Sequence, residues 1–512
     1  YTHEHFDESS KLANNEAPSA VHKLAAEHYQ RQAEASCPPT GKRGNVSDIH
    51  DLLEAIWHYC QAKQWQEAYK LIEKERVFRS LKEWGSNAIL LKLCLQLQPL
   101  ENWSPTLSQA GAIHRYMAWA YNALGEREEA RKYNELALQL YTESGDLEGQ
   151  EHVLDALGWS CKAIGQMQQA EGYYERALDI CKEIGDRRAE GNVLNGLGQV
   201  YDVLGRREQA RKYFEEASAI GKETGNARLE GRSLRNLGYI HTDFGHYAEA
   251  LGYIEQSLVI TEKSDCRGEG VASDFSGRVY RERGRECMEQ GREYEEQGQH
   301  ERAAEEFEKA EQDFERAKQE FEKALGIYRT VGDRGLEGWA LHNWGWTYNA
   351  WGQCEQARGN NASDQYEQAR ELLEEALSIR QEVRDRRGES RTIRDLGEAT
   401  SMLGQKKEAL AYYKQALIIS DEIPDPYGKA TILQNAALMY LDQTPYDVAL
   451  SCLLIAKRIF DELQSPYSKE TQRRIDRLQK EIGKEQFITL LAEVEPKAQQ
   501  IVDQALLASG EP

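Results

Sequence analysis

The sequence predicts an all-α protein, a solenoid of stacked antiparallel helix pairs, on three observations. Glycines recur every forty residues at Gly125, Gly165, Gly205 and Gly245, with Ala130, Ala170, Ala210 and Ala250 five places later. Ala137, Ala177, Ala217 and Ser257 stand twelve places after each glycine. A second punctuation, Gly145-Asp146, Gly185-Asp186, Gly225-Asn226 and Gly332-Asp333, falls between units, so each unit holds two helices.

Residues 1–46 are expected to carry a helix, over 18–35, and a linker from a preceding module. Position 1 is a tyrosine and no signal peptide follows, so a processed chain or the C-terminal part of a longer one is expected. Residues 47–110 read as a degenerate helical repeat, WHYCQAKQWQEAYKLI with Ala68 in the post-turn alanine place, and an irregular helical connection. Units one to four occupy 111–265. Leu157, Gly158 and Cys161 before the turn, and Ala170, Tyr174 and Ala177 after it, fall at helical steps and give each helix one narrow apolar face. The turn glycine suits a left-handed cap, and the Asp after the second helix suits an N-cap. One such pair cannot bury its face alone, so the units must stack.

Unit five, 266–331, breaks the period. Gly284 and Ala324 are 40 residues apart where twelve is the rule, and Gly298, Ala303, Phe307 and Ala310 recreate the turn and second helix between them. Each helix therefore gains two heptads. Tyr280, Cys287 and Tyr294, like Gly284, Gly291 and Gly298, step by seven opposite Ala303, Phe307, Ala310, Phe314, Ala317, Phe321 and Ala324. A protruding antiparallel coiled-coil hairpin is expected, reaching roughly 21 Å beyond its neighbours. Its 284–324 segment is a candidate for docking or self-association.

Units six to eight span 332–465. The sixth is expected to turn near Gly352, with an insertion at 353–364, a turn in GNNASD and a capping box from Asp364 to Glu367. The seventh turns at Gly404 and the eighth near Thr444. Residues 466–512 read as one or two charged capping helices.

The Leu-Gly pairs at 157–158, 197–198 and 237–238, then G-x4-A, an aromatic and an alanine, resemble the tetratricopeptide repeat in its forty-residue, kinesin-light-chain-like form. That resemblance implies a right-handed superhelix whose concave face, lined by the first helix of each unit, binds peptides or proteins. Residues 48–103 and the terminal KEIGKEQFITLLAEVEPKAQQIVDQAL resemble the C-terminal halves of bacterial NB-ARC, or STAND, signalling NTPases. This second resemblance implies a ligand sensor behind a nucleotide switch. The alternative is a free-standing adaptor, peptide receptor or regulatory partner of a separate effector enzyme.

Across 512 residues, 64 Lys and Arg face 86 Asp and Glu, a net charge of −22 that opposes nucleic acid as a partner. No apolar run reaches membrane-span length, and the nine scattered cysteines have no zinc-ligand spacing, so a soluble, cytoplasmic protein is expected. No phosphate-binding loop, HExxH or nucleophile elbow occurs, which points away from an enzyme, a cofactor or a metal. His3, Glu4 and His5 could hold a stray divalent ion but read more simply as a terminus.

The groove-facing places of the first helices offer Arg115, Trp119, Trp159, Lys162, Asn195, Arg232, Arg235, Asn236, Tyr239, Arg278, Arg281, His342, Asn343, Trp346, Arg391, Arg394 and Asn435. Basic groups outnumber acids there, the reverse of the whole chain. Arginines in a partly desolvated recess favour carboxylates, and the aromatics offer anchors, so the expected partner is a protein or acidic peptide.

Overall fold

The computed structural model describes residues 18–98, 103–261, 266–423, 425–441, 446–463, 465 and 467–507. Among them every regular element is helical. They form two compact units, one running to residue 161 with 168–186, the other comprising 162–167 and the chain from 187 onward.

The first unit opens with α1 (Pro18–Ser36), α2 (His50–Gln61), α3 (Trp65–Lys74), α4 (Val77–Glu83) and α5 (Asn87–Leu97). Repeats one and two follow as α6 (Leu107–Ala123), α7 (Arg127–Ser144), α8 (Leu147–Ala163) and α9 (Met167–Ile184). The degenerate repeat is α2 with α3, where Ala68 is fully buried beside Ile56 and Ile72. Arg43 fastens the preceding linker: its guanidinium donates to the Glu75 carbonyl at 2.8 Å and the Glu75 carboxylate at 2.7 Å.

In the second unit, repeats three and four are α10 (Arg187–Val203), α11 (Arg207–Glu223), α12 (Ala227–Asp243) and α13 (Tyr247–Thr261). Repeats five and six are α14 (Cys266–Glu296), α15 (His300–Val331), α16 (Arg334–Ala357) and α17 (Ser363–Glu382). Repeats seven and eight are α18 (Arg386–Met402), α19 (Lys406–Glu422), α20 (Pro426–Tyr440) and α21 (Asp447–Glu462). The end of the chain adds α22 (Tyr467–Ile482), α23 (Lys484–Val494) and α24 (Ala498–Val502), three helices instead of one or two. Within this unit each helix pair packs on the next, and the first helices of repeats three to eight also touch one another in sequence, forming a continuous inner layer.

The punctuation behaves as its chemistry requires. Gly205, Gly245, Gly298 and Gly404 take φ of +73° to +80° at turns within repeats. Asp333, Asp385 and Asp425 cap the next first helix, each Oδ1 accepting a backbone N–H three residues on, at 3.0 to 3.1 Å. At the turn before α18, Arg384 takes the left-handed place at φ +57° that Gly332 fills one repeat earlier. An L side chain there is strained by roughly 1 kcal/mol.

The expected lengthening of unit five is present: α14 has 31 residues and α15 has 32, against 17 in each of α10 and α11. A Cβ at Gly277, Gly284 or Gly291 would lie 2.8 to 3.0 Å from Phe321, Phe314 or Phe307, so these glycines let the two helices close on phenylalanine rings. One flank of this pair is covered. Met288, Phe307 and Phe314 form a cluster with Ala350 and Cys354 of α16, and Arg292 donates to the Gln353 carbonyl at 3.0 Å.

Two local expectations need correction. Gly352 is not at a turn but inside α16, where a Cβ would meet Tyr366 at 2.6 Å; the turn falls at Gly359, φ +78°. The Asp364–Glu367 capping box does not form, because the helix starts at Ser363 and Asn361 Oδ1 accepts from its backbone N–H at 3.1 Å. The turn expected near Thr444 lies outside the described residues.

Candidate functional site

The first helices supply the site, and the repeat register decides which side chains reach the inner surface. In the first unit Trp119 and Trp159 are 43% and 48% exposed, and Lys82 sits 3.8 Å above the Trp119 ring. Arg115 lies against the Tyr116 ring at 4.9 Å. Burial, then the nearby Arg115, lowers the Lys82 ammonium pKa.

The second unit holds the remaining candidates. Lys162 donates to Gln199. Asn195 is buried, and its Oδ1 accepts from Asn236 at 3.0 Å and Ser233 at 3.3 Å, which ties α10 to α12. Arg232 donates to Asn192 Oδ1 at 2.8 Å. Arg235, expected on the groove face, is instead buried and donates to Ser257 Oγ of α13 at 2.9 Å; its place falls on the seam between the two helix layers. Asn343 donates to the buried Asp274 carboxylate at 3.1 Å, as does Trp339 through Nε1, so this asparagine serves the packing of α14 on α16. His342 is buried with Thr392 Oγ1 at 3.1 Å and Asp395 at 3.4 Å. Burial, then the charges of Arg380, Arg394 and Arg391, hold its imidazole pKa far below the ordinary range, so it is neutral despite Asp395.

What gathers on the inner surface is an arginine–aromatic cluster. Arg278 lies 4.4 Å from the Tyr239 ring, 4.9 Å from Phe275 and 5.9 Å from Trp339. Arg281 stacks on Trp346 at 3.7 Å, with Arg285 at 5.8 Å from the same ring. Both guanidiniums pair with Glu282, at 3.0 and 3.1 Å. Burial pulls the Arg281 pKa down to about 10, and its Nη1 is buried without a hydrogen bond. Burial alone would raise the Glu282 carboxyl; Arg281 and Arg285 overcome it and hold it below its usual range.

Acids complete the rim. Burial, then Asp243, pushes the Asp202 pKa up to about 7 against the opposing Arg207 and Arg278. Tyr239 rises to about 12 by burial and shares these neighbours. Arg394 donates to Asp395 at 2.7 Å. By contrast Arg278 and Arg391 have no carboxylate within ion-pair range among the described residues, and burial lowers the Arg391 pKa. Asn435 is half-buried on α20.

The groove reading passed over Glu282, Arg285 and Asp243. Trp339 was legible, at one of the groove-facing places of its first helix. Glu282 was not, because its sequence neighbour Arg281 gives no sign that the two side chains fold back together.

The family comparison agrees with the helix-pair architecture. The tetratricopeptide repeat matches residues 109–183, 184–263 and 360–422. No curated protein matches the chain. Among solved structures, BtubC from P. vanneervenii is 20% identical over 49% of this chain and 92% of its own, with a TM-score of 0.33. The STAND protein with a tetratricopeptide repeat sensor from Pyrococcus horikoshii is 12% identical over 92% of this chain and 56% of its own, TM-score 0.40. Aspartyl phosphate phosphatase F from Bacillus subtilis is 14% identical over 74% and 95%, TM-score 0.42. Among the described residues no helix is long and apolar enough to cross a membrane.

Proposed function

We propose that this chain, an all-α solenoid of tetratricopeptide repeats and so of a class of non-catalytic protein-interaction scaffolds, captures a protein segment bearing carboxylates on the inner surface of repeats four to seven. One observation carries the reading: Arg278 and Arg391 face that surface without carboxylate partners among the described residues, in a chain of net charge −22 whose other arginines are largely paired. A carboxylate brought by a ligand completes charge-assisted hydrogen bonds there, and Tyr239 and Trp346 supply flat apolar contact beside it.

The test is fluorescence anisotropy with labelled Asp- and Glu-rich peptides carrying one tryptophan. The double variant Arg278→Glu/Arg391→Glu should weaken binding by roughly 100-fold, two charged hydrogen-bonding sites at about 1.5 kcal/mol each, with helical circular dichroism unchanged. Equal binding by parent and variant, or none by the parent, overturns the reading.

The finer role we infer is that of ligand sensor in a STAND-type signalling NTPase. It rests on the resemblance of residues 48–103 and of the terminal segment to such proteins. Intact-mass analysis of the endogenous protein tests it: upstream peptides with a nucleotide-binding loop support the sensor, and a mass equal to this chain alone supports the free-standing adaptor.

A further inference from the structure

The turn of repeat four brings together His241, His246 and Glu249, with one ligand atom from each lying within 4.8 Å of the others. We infer that these three side chains form a binding site for a divalent transition-metal ion of the zinc type. Two imidazole nitrogens and one carboxylate oxygen are the donor set that such an ion takes, with a further position left for water.

The backbone fixes the arrangement. The His246 N–H donates to the His241 carbonyl at 2.9 Å, and Gly245 N–H donates to the Thr242 carbonyl at 2.9 Å, closing α12 in a left-handed cap with Gly245 at φ +75°. Glu249 then stands one turn along α13. Pairs of these places meet in other repeats: Cys161 and Gln169 are 3.9 Å apart in repeat two, and Arg206 lies over Tyr201 in repeat three. Pairwise approach thus recurs at this turn, and repeat four brings His, His and Glu together there.

His241 gives an independent sign. It is 8% exposed, yet neither ring nitrogen makes a hydrogen bond among the described residues. Its Nδ1 is 2.8 Å from Glu249 Oε2 without hydrogen-bond geometry, and His246 Nδ1 is 3.8 Å from the same oxygen. Metal–ligand bonds of about 2.1 Å place ligand atoms about 3.4 Å apart in a tetrahedron, between those two distances. A buried imidazole whose ring nitrogens make no hydrogen bond among the described residues is costly, and coordination by one of them relieves that cost. A Cβ at Gly245 would lie 3.9 Å from Glu286 Oε2, so a second carboxylate stands beside the turn.

The test is calorimetric titration of zinc into the chelator-treated full chain carrying His3→Ala/His5→Ala, which removes the terminal histidines as competitors. One equivalent should bind. Binding should be lost in His246→Ala and weakened at least about 10-fold in Glu249→Gln. Both residues are exposed, so circular dichroism should match the parent. Cobalt should give a visible d–d absorption band in the parent that is missing in His246→Ala. No zinc binding by the parent, or binding and a cobalt band unchanged in both variants, overturns the site.

Discussion

Two sets of arginines on the same repeats have opposite surroundings. On one edge of the second unit, Arg187, Arg334 and Arg386 each open a first helix and bridge two glutamates. Arg187 reaches Glu190 at 2.6 Å and Glu223 at 2.8 Å; Arg334 reaches Glu337 at 2.6 Å and Glu382 at 2.7 Å. Arg386 joins Glu389 and Glu422. The second partner in each case ends the second helix of the same repeat, so one guanidinium staples the pair. On the inner surface, Arg278 lies among aromatic rings and Arg391 among other buried charges, with no carboxylate partner in range among the described residues. The difference separates charge used for structure from charge held available for a ligand.

Removing a buried member of the inner set should have the largest effect on stability. Arg281→Ala takes away the Trp346 stacking partner and one of two guanidiniums on Glu282, and should cost about 3 kcal/mol in urea unfolding, the low end for a broken buried pair because Arg285 remains. A loss as small as that of an edge arginine would erase the distinction. Arg384 belongs to neither set and sits in strained backbone, so Arg384→Gly should stabilise the second unit by about 1 kcal/mol. Destabilisation would mean that its side chain outweighs the strain.

The pH dependence sharpens the inner surface further. Asp202 titrates at about 7 in the folded chain, above the roughly 3.9 of an unfolded aspartate. Its contribution to stability is full below about pH 4 and is lost as pH rises through 7, so Asp202→Asn should stabilise the protein at pH 8 and leave it unchanged at pH 3. Between pH 8 and 6 the parent gains a proton beside Arg278, and acidic-peptide binding should tighten by roughly threefold. His342 stays neutral throughout that window, and a curve that is equally steep in Asp202→Asn would assign the change elsewhere. The smallest effect belongs to the edge: Arg386→Ala should cost about 0.5 kcal/mol, less still at high salt, since its pair is solvent-screened. A loss comparable to that of Arg281→Ala would make the staple a structural requirement.

The repeat architecture was legible because glycine turns, small-residue contacts and aspartate caps are local requirements that recur at fixed spacing. Gly298 and the phenylalanines of α15 located even the irregular fifth repeat, since a heptad step preserves the facing side of a helix. Gly352 misled because glycine serves close approach as well as turns, and only the position of Tyr366 distinguishes the two uses. Groove membership was legible in part. Helical spacing brought Tyr239, Arg278, Arg281, Trp346 and Arg391 to the inner surface, but it could not separate Arg235, which turns to Ser257, from Arg232, three residues away.

By itself the sequence determined an all-helical stack of repeats and the excess of arginine on one helix face, because each depends on residue size and spacing along a single chain. The tertiary structure decided which arginines are neutralised, which asparagines are consumed by neighbouring repeats, and that His241, His246 and Glu249 converge. Pairing depends on distances between groups forty residues or more apart, and these are fixed only when the repeats pack.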